Sequence, residues 1–356
     1  MSYFRPAIDE MTGYVPGEQP QPGTKIIKLN TNENPYPPSP KVIEALQNFD
    51  GEQLRRYPDP LAREFCQTVS EVLKVPENWI IVGNGSDDLL NLLVRAGAEG
   101  SDRTVVYPTP TYVLYRTLSA IQAATVIEIP YPASWQLPIE PLIAANGAIT
   151  FVASPNSPSG HTVPLPALRE LAQRTPGIVV IDEAYVDFTE FSALPLVQEF
   201  DNVIVLRTLS KGYSLAGLRI GFGIANPKLL AGLFKVKDSY NIDAIAIALG
   251  TAAIRDQAYK VSCIEKVKAS RTQLQKDLAA LGFSVHESHG NFVLVTTPQG
   301  NAEAIYLALK AHGILVRYFK QVGLTDKLRI SVGTDAENQS LVTTLADLLS
   351  DNATIH

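Results

Sequence analysis

A lysine, two hydroxyl side chains and an arginine follow the apolar run Val203–Leu206 within a short segment of the chain. Lysine amines form Schiff bases with carbonyl compounds, including the aldehyde of pyridoxal phosphate, when burial or a neighbouring cation lowers their pKa. Lys211 is the candidate for that chemistry, although a lone lysine in such a place is usually a solvated loop residue. The hydroxyls of Thr208 and Ser210 and the guanidinium of Arg219 are suitable donors to a phosphate ester. One segment could therefore hold both ends of that cofactor.

The turn that follows the apolar run Trp79–Val82 is a second candidate site. It contains two glycines and leads directly into a helical pattern. Because the free N–H groups at a helix N-terminus attract anions, Gly85, Ser86 and Asp87 could bind a phosphate. The alternative is an ordinary turn in which Ser86 or Asp87 caps the helix, and the pattern alone favours that alternative.

Asp182 directly follows the fully apolar run Ile178–Ile181. Burial of an unpaired carboxylate is costly, so this side chain needs a cation. The protonated nitrogen of a pyridine ring would be such a partner. The alternative is a carboxylate that caps the turn after the strand.

Short apolar runs separated by helix-length segments indicate the elements that position these residues. Nearly continuous apolar character predicts strands that are covered on both faces, as in a mostly parallel sheet flanked by helices. In such open sheets, ligands bind at the carboxyl ends of the strands. The predicted class is α/β, with a seven-stranded sheet formed by Trp79–Val82, Thr104–Tyr107, Thr125–Ile129, Ile149–Ala153, Ile178–Ile181, Val203–Leu206 and Arg219–Ile224.

The rest of the chain predicts an N-terminal arm and a second domain. Prolines at positions 35, 37, 38 and 40 argue against a helix or a central strand, so residues 1–40 are predicted to form an extended arm. After a helical region, short strand and helix patterns predict a smaller α+β domain. We place the large domain at residues 41–260 and the small domain at residues 261–356.

Composition and charge limit the classes of partner. The 356 residues are 46% apolar and 19% charged, which is typical of a soluble globular protein. The formal charge of −6 argues against a general nucleic-acid or anionic-membrane surface. The two cysteines, Cys66 and Cys263, have no spacing that suits zinc. We therefore expect no metal, no nucleic acid and no membrane partner, and a cytoplasmic protein with reduced thiols.

The pattern Ser210-Lys211, five residues, Gly217-Leu218-Arg219, one residue and Gly221 resembles the lysine signature of the fold-type I pyridoxal-phosphate aminotransferases. The chain around it resembles the histidinol-phosphate aminotransferase family in particular, with the motifs in the family's order. The resemblance implies a homodimeric enzyme that carries pyridoxal 5'-phosphate on Lys211.

The resemblance also implies roles for residues whose own patterns leave ordinary structural alternatives open. Around the cofactor phosphate it implies Gly85, Ser86, Asp87, Thr208, Ser210 and Arg219, with Tyr57 reaching the phosphate from the other subunit. Around the cofactor ring it implies Tyr112 stacked on one face, Asp182 at the nitrogen, and Asn156 and Tyr185 at the phenolic oxygen. The family often has Asn-Pro-Thr-Gly at the end of the loop that contains Asn156, where this chain has Ser-Pro-Ser-Gly.

Substrate contacts follow from the same resemblance. Arg329 would clamp the α-carboxylate of glutamate, where the alternative is a snorkelling side chain. Arg317 would meet the phosphate of the other substrate together with Tyr14 of the arm. Asn156 would also touch the substrate carboxylate.

The implied reaction is reversible amino transfer between L-histidinol phosphate and 2-oxoglutarate, giving imidazole-acetol phosphate and L-glutamate, in histidine biosynthesis. Lys211 would act as general base and acid in the proton shift. Three alternatives stay open: an aminotransferase for aromatic amino acids, a pyridoxal-phosphate-dependent decarboxylase of a phosphorylated amino acid, and a non-enzymatic cofactor-binding protein.

Overall fold

The computed structural model describes residues 2–13, 17–20, 23 and 26–350. The strands in these ranges are β1 (Ile27–Lys28), β2 (Ile80–Gly83), β3 (Val105–Thr109), β4 (Val126–Pro130), β5 (Ile149–Ala153), β6 (Ile178–Asp182), β7 (Val203–Thr208), β8 (Gly221–Ala225), β9 (Ser284–Val285), β10 (Phe292–Thr296), β11 (Ile314–Leu315), β12 (Arg317–Tyr318) and β13 (Lys327–Ser331). The α-helices are α1 (Pro6–Glu10), α2 (Pro40–Gln47), α3 (Arg63–Leu73), α4 (Ser86–Gly97), α5 (Leu114–Ile121), α6 (Ile139–Ala144), α7 (Leu165–Arg174), α8 (Leu196–Glu199), α9 (Pro227–Val236), α10 (Ala244–Arg255), α11 (Gln257–Ala280), α12 (Ala302–Ala311) and α13 (Asp335–Ser350). Of the helices in the described ranges, none is long and apolar enough to cross a membrane.

The large sheet has seven strands in the order β2-β8-β7-β6-β5-β3-β4. Its strands pair in parallel except for β8, which runs antiparallel to both β2 and β7. The prediction of a mostly parallel, seven-stranded sheet is therefore confirmed, and each predicted run supplies one strand.

Alternating side chains along each strand bury both faces of this sheet. In β7, Val203 and Val205 pack into one apolar cluster, whereas Ile204 and Leu206 pack into another on the opposite face. Helices cover both faces, because a strand with no polar side is stable only when it is enclosed. The α/β class predicted from the apolar runs is thus correct.

A four-stranded antiparallel sheet, in the order β12-β13-β10-β9, forms a separate layer with its own apolar cluster. Helices α11, α12 and α13 contribute to that cluster, as expected for the smaller α+β unit. The predicted boundary at residues 260 and 261 falls inside α11, and the division of the chain into domains stays a prediction.

The arm is more structured than the sequence predicts. Strand β1 pairs in parallel with β11, and the neighbouring Leu29 is buried in the apolar cluster of the small sheet. The exclusion of a helix at position 40 was wrong, because α2 begins at Pro40. A proline is well tolerated at the first helical position, where its missing N–H has no intrahelical partner anyway, and the hydroxyl of Ser39 caps the helix.

The reversed direction of β8 brings three chain segments to one edge of the large sheet. Gly221 at the start of β8 pairs with Gly83 at the end of β2 and with Thr208 at the end of β7. On the same sheet, Ala153 at the end of β5 pairs with Asp182 at the end of β6. The residues with candidate chemistry therefore meet at this edge, as predicted for an open sheet.

Candidate active site

A pocket of about 1030 Å³ opens at this edge of the sheet, between the large sheet, the small sheet and the arm. Its walls contain most of the residues that the sequence singles out. They are Ser86, Asp87, Tyr112, Asp182, Tyr185, Thr208, Ser210, Lys211, Arg219, Arg317 and Arg329.

One end of the pocket is formed by the start of α4. The N-cap residue of this helix is Gly85, which has no side chain to cap it, so the alternative in which Ser86 or Asp87 is the N-cap is wrong. Gly85 has a φ of +76°, and a Cβ there would lie 2.6 Å from Nη2 of Arg219. At Gly221 a Cβ would lie 2.5 Å from the backbone nitrogen of Ser86. Glycine at both positions therefore allows the guanidinium of Arg219 and the backbone of Ser86 to approach closely at the helix N-terminus, where the free N–H groups attract anions.

Asp87 links the two sides of this end of the pocket. Its Oδ2 accepts a hydrogen bond of 3.3 Å from Nη2 of Arg219, and its Oδ1 accepts one of 3.2 Å from the Tyr112 hydroxyl. The ring of Tyr112 lies edge-on to Tyr115, with the ring centres 5.8 Å apart. Both groups that the sequence assigns to a cofactor, the guanidinium and the phenol, are thus oriented by one carboxylate.

Thr208 and Ser210 are buried at the same end. The Thr208 hydroxyl donates to Oγ of Ser210 over 2.9 Å and accepts from the Ser210 backbone N–H over 3.1 Å. Because Ser210 Oγ already accepts this bond, its own hydrogen points elsewhere and can be donated to an anion in the pocket.

Lys211 extends from the end of β7 toward the arm. Its Nζ donates to the backbone oxygen of Thr31 over 3.2 Å and lies 5.7 Å from the centre of the Tyr185 ring. The side-chain amide of Asn34 donates to the backbone oxygen of Lys211 over 3.0 Å, which fixes the main chain at this point. The lysine amine is therefore held inside the pocket by residues of the arm.

Glu33 lies near this lysine. Burial acts to raise the pKa of Glu33, but hydrogen bonds from Lys28 and Thr31, together with the charges of Lys28 and Lys211, lower it below its usual range. The arm thus carries a carboxylate that stays ionised beside the Lys211 amine.

Asp182 is buried at the floor of the pocket. Its Oδ2 accepts a hydrogen bond of 2.8 Å from the Tyr115 hydroxyl, and its Oδ1 accepts one of 3.1 Å from the Ala184 N–H. Burial, together with the charges of Asp87 and Glu183, raises the pKa of Asp182 to about 6, although the two hydrogen bonds lower it. Within the described residues, Asp182 has no cation partner. The carboxylate is therefore ready to receive a cation from a bound molecule.

Arg329 stands on the opposite wall, in β13. Its Nη1 donates to the hydroxyl of Ser157 over 2.9 Å, and its Nη2 donates to the backbone oxygen of Asn30 over 2.9 Å. Arg317 is its direct partner position in β12. Both guanidinium groups lie over the ring of Phe319, at 5.5 Å for Arg317 and 5.6 Å for Arg329. Two cationic groups thus face the same pocket from neighbouring strands.

Residues 24–345 match the family described as aminotransferase class I and II. The chain belongs to this family. A histidinol-phosphate aminotransferase 1 from Trichormus variabilis is 64% identical over 348 residues, which cover 98% of this chain and 99% of the relative. A histidinol-phosphate aminotransferase from Geotalea daltonii is 44% identical over 349 residues, which cover 98% of this chain and 100% of the relative.

A solved structure of histidinol-phosphate aminotransferase from Sinorhizobium meliloti, in complex with pyridoxal-5'-phosphate, is similar along its whole length. The TM-score is 0.91 at 29% identity, with 99% of each chain covered. A putative histidinol-phosphate aminotransferase from Erwinia carotovora atroseptica has a TM-score of 0.84 at 25% identity, with 91% of this chain and 96% of that chain covered. The architecture of this aminotransferase is therefore of fold type I, as the sequence predicts.

Asn156 does not line the pocket of this aminotransferase. Its side-chain amide is completely buried and donates to the backbone oxygen of Pro110 and to the Ser159 hydroxyl, while its Oδ1 accepts from Thr111. The neighbouring Ser157 faces the pocket instead and accepts the bond from Arg329. Without a ligand, the protein itself occupies both amide hydrogens, and the contacts of Asn156 with cofactor and substrate stay a prediction.

Tyr57, a predicted site residue, is not brought into this pocket. Tyr57 is 80% exposed and stacks on Tyr240, with the ring centres 4.5 Å apart. Tyr14 lies outside the described residues. The roles assigned to them by resemblance stay predictions.

Sequence reasoning missed three polar or aromatic contributors to the site: Asn32, Ser157 and Phe319. Asn32 donates its side-chain amide to the Tyr185 hydroxyl over 2.9 Å. Asparagines at the alternate positions 30, 32 and 34 were a usable signal for Asn32. For Phe319 the signal was weaker, an aromatic residue two positions after Arg317.

Proposed function

We propose that this chain is a pyridoxal-phosphate-dependent aminotransferase that moves an amino group reversibly between L-histidinol phosphate and 2-oxoglutarate. The observation that carries the proposal is one pocket with Lys211 and the buried Asp182 on one side and Arg317 and Arg329 on the other. The full-length similarity to relatives named histidinol-phosphate aminotransferase, at up to 64% identity, supports this substrate over other amino acids.

The residues around the pocket fit pyridoxal 5'-phosphate by their chemistry. A buried carboxylate that lacks a cation partner within the described chain, Asp182, suits a protonated pyridine nitrogen. The end of the pocket at Ser86 and Arg219, at the N-terminus of α4, suits a phosphate. The amine of Lys211, inside the pocket between them, suits the aldehyde. When bound, this cofactor supplies an electron sink for the carbanion at the substrate α-carbon.

Lys211 performs the proton transfer in the proposed reaction. Its Nζ, which donates to the Thr31 oxygen in this structure, would hold the aldehyde of the cofactor and would become a free amine once a substrate amine had replaced it there. The free amine then accepts the proton from the substrate α-carbon, and in the return half-reaction it delivers a proton to that carbon. Asp182 would hold the ring nitrogen of the cofactor in its protonated form, because an adjacent carboxylate favours the charged form.

The two arginines bind the anionic groups of two different substrates. Arg329 clamps the α-carboxylate of glutamate or 2-oxoglutarate, since a guanidinium can make two parallel hydrogen bonds to a carboxylate. Arg317 binds the phosphate of histidinol phosphate, with Tyr14 as its predicted companion. Such a pair lets one pocket accept a dicarboxylate and a phosphate monoester in turn.

The active unit in this proposal is a homodimer, with Tyr57 of each subunit reaching the cofactor phosphate of the other. Its support is an exposed aromatic pair, Tyr57 and Tyr240, with exposed Leu54 and Leu61 nearby in the chain. Exposed aromatic and apolar side chains in one region are typical of a protein interface. The cytoplasmic location expected from the sequence stays a prediction.

The test begins with the absorption spectrum of the purified protein in the presence of pyridoxal 5'-phosphate. We expect a yellow band that Lys211→Ala lacks. L-Histidinol phosphate at low concentration should bleach the band to the aminated form of the cofactor, and 2-oxoglutarate should restore it. Direct measurement of L-glutamate after the second addition then establishes the amino transfer.

Other outcomes separate the alternatives. If only phenylalanine or tyrosine bleaches the band, the reaction class stands and the substrate is wrong. Release of carbon dioxide from a phosphorylated amino acid without 2-oxoglutarate would indicate a decarboxylase. A protein without any band contradicts the proposal as a whole.

A further inference from the structure

Asn32 lies at the junction of the arm, the small sheet and the pocket, and it is almost completely buried. Its φ of +56° belongs to the left-handed region, which asparagine tolerates better than most residues. Its backbone N–H donates to the Ser331 hydroxyl over 2.8 Å, and its backbone oxygen accepts from the Asn291 amide over 2.9 Å. These bonds fix the main chain of this residue from two sides.

The Ser331 hydroxyl also determines which way the Asn32 amide points. Because Ser331 Oγ accepts from the Asn32 backbone, its single hydrogen is available for donation, and it is donated to Asn32 Oδ1 over 3.0 Å. The opposite orientation of the amide would leave that buried hydrogen without its acceptor. Asn32 Nδ2 therefore faces the Tyr185 hydroxyl, 2.9 Å away, as a donor.

A phenol oxygen that accepts such a bond can still donate its own hydrogen to a second partner in another direction. Among the residues that the structure describes, Asn32 is the hydrogen-bond partner of the Tyr185 hydroxyl. The Tyr185 ring packs edge-on against Phe292, with the ring centres 5.0 Å apart, and this contact favours the observed ring position. The remaining direction for the O–H group is into the pocket, which Tyr185 lines.

We propose that Asn32 is a positioning residue that turns the O–H group of Tyr185 toward the phenolic oxygen of bound pyridoxal phosphate. This inference rests on the proposed function. It also means that the orientation of a group in the large unit depends on the arm being seated against Ser331 of the small sheet.

Three charged groups lie near Asn32 and Tyr185, and each of them contributes to any pKa that is measured at this site. The Lys211 amine lies 5.7 Å from the centre of the Tyr185 ring. Glu33 follows Asn32 in the chain, and the charge of Lys211 lowers the pKa of Glu33. The guanidinium of Arg329 lies over Phe292, on which Tyr185 packs.

The imine between Lys211 and the cofactor provides the reporter, because its protonation changes the absorption spectrum. A hydrogen bond to the phenolic oxygen reduces the negative charge that attracts the imine proton, so loss of the bond raises the imine pKa. We expect Tyr185→Phe to raise this pKa by about one pH unit. Asn32→Asp should raise it at least as much, because the carboxylate accepts the Tyr185 hydrogen and draws it out of the pocket.

A double-substitution cycle separates this effect from the added charge. In the Tyr185→Phe background there is no hydroxyl to turn, so Asn32→Asp should raise the imine pKa much less than it does alone. Asn30→Asp is the matched control: Asn30 is equally buried in the same segment, but its amide faces the Glu18 backbone. Its shift should be the same in both backgrounds.

Equal shifts for Asn32→Asp in the two backgrounds would overturn the proposal, since charge alone would then explain them. If the aspartate variant does not fold, Asn32→Gly accepts the same φ without strain, removes the donor and should give a smaller rise that also vanishes with Tyr185→Phe. Absence of any shift in the glycine variant would contradict the proposal as well. A wild-type protein without a cofactor band overturns the proposed function and this inference together, whereas a normal band with equal shifts overturns this inference alone.

Discussion

Arg317 and Arg329 face the same aromatic ring from adjacent strands, with their guanidinium carbons 5.5 and 5.6 Å from the centre of Phe319. Like charges in one pocket repel each other, but the electron-rich face of a ring attracts both. Phe319 therefore keeps two anion-binding groups close to each other while limiting their mutual repulsion. Arg329 also lies over Phe292, at 5.4 Å, so its plane is set by two rings.

Phe319→Leu tests this role, because leucine keeps the apolar character and removes the ring. We expect the KM values for both L-histidinol phosphate and 2-oxoglutarate to rise about tenfold with little change in kcat, which corresponds to the loss of two cation–π contacts. Phe319→Tyr keeps the ring and should stay within about twofold of the wild type. Steady-state kinetics of the wild type and the two variants test this expectation. Equal KM values for Phe319→Leu and Phe319→Tyr would contradict the role of the ring.

Lys211→Ala should abolish the yellow band and lower kcat by about 10⁴-fold, because the chain loses its attachment point and its base. Lys211→Arg keeps the positive charge near the Thr31 oxygen and should be equally inactive. Added methylamine should restore part of the rate of the alanine variant, as a small amine can accept the proton in the space left open. Substantial activity of the arginine variant would show that charge, and not the amine, is what matters.

Asp182 should make the stability of the cofactor-free protein depend on pH. Burial raises its pKa to about 6, whereas in the unfolded chain it is about 4. The folded state binds this proton more tightly, so the stabilising contribution is complete below pH 4 and is lost as the pH rises through 6. Relative to Asp182→Asn, the free energy of unfolding should fall by about 2 kcal/mol between pH 4 and pH 7.

Urea denaturation of the cofactor-free wild type and of Asp182→Asn across this pH range measures the effect. A constant difference between the two proteins would mean that Asp182 does not titrate in this window. The same variant should bind pyridoxal 5'-phosphate more weakly, because the neutral amide cannot pair with the ring nitrogen.

Gly85→Ala should weaken cofactor binding by tenfold or more, about 1.4 kcal/mol. An added Cβ at a φ of +76° is strained and would lie 2.6 Å from the guanidinium of Arg219, which must move away from the phosphate end of the pocket. Gly217→Ala is the control, since a Cβ at that position of the neighbouring loop meets no atom within 4 Å. Fluorescence or absorption titration with pyridoxal 5'-phosphate compares them, and equal affinities would exclude a cofactor contact at Gly85.

Tyr57 can be tested by mixing two defective subunits. If it serves the partner's pocket, a dimer of one Tyr57→Ala subunit and one Lys211→Ala subunit has one site with both residues intact. Co-expression with two different affinity tags should therefore recover close to half of the wild-type activity per dimer. No recovery in the isolated mixed dimer would mean that Tyr57 acts within its own subunit or not at all.

The seven strands of the large sheet could be predicted because the signal for each is local. Runs such as Ile178–Ile181 are apolar throughout and therefore require burial on both faces. The direction of β8 could not be predicted, because it depends on pairing with both β2 and β7, and these two strands lie far apart in the chain. Strand β1 has only two residues and depends on its pairing with β11, so no periodic pattern in the sequence predicts it.

The site was predictable where a residue follows a strand and less so where it depends on distant neighbours. Lys211 and Asp182 follow apolar runs, and their place in the pocket could be predicted from that position. Asn32 acquires its place from Tyr185 and Ser331, which are 153 and 299 residues away. The loop with Asn156 shows a finer limit, because the sequence indicated a functional turn but did not indicate that Ser157 lines the pocket and accepts a bond from Arg329.

Two successive backbone oxygens of the arm, those of Asn30 and Thr31, accept hydrogen bonds from Arg329 and Lys211. A partly buried cation that lacks a partner is costly, and here main-chain dipoles supply one. Any displacement of the arm would therefore remove a hydrogen-bond acceptor from both cations at once, so the two side chains are linked through one stretch of main chain.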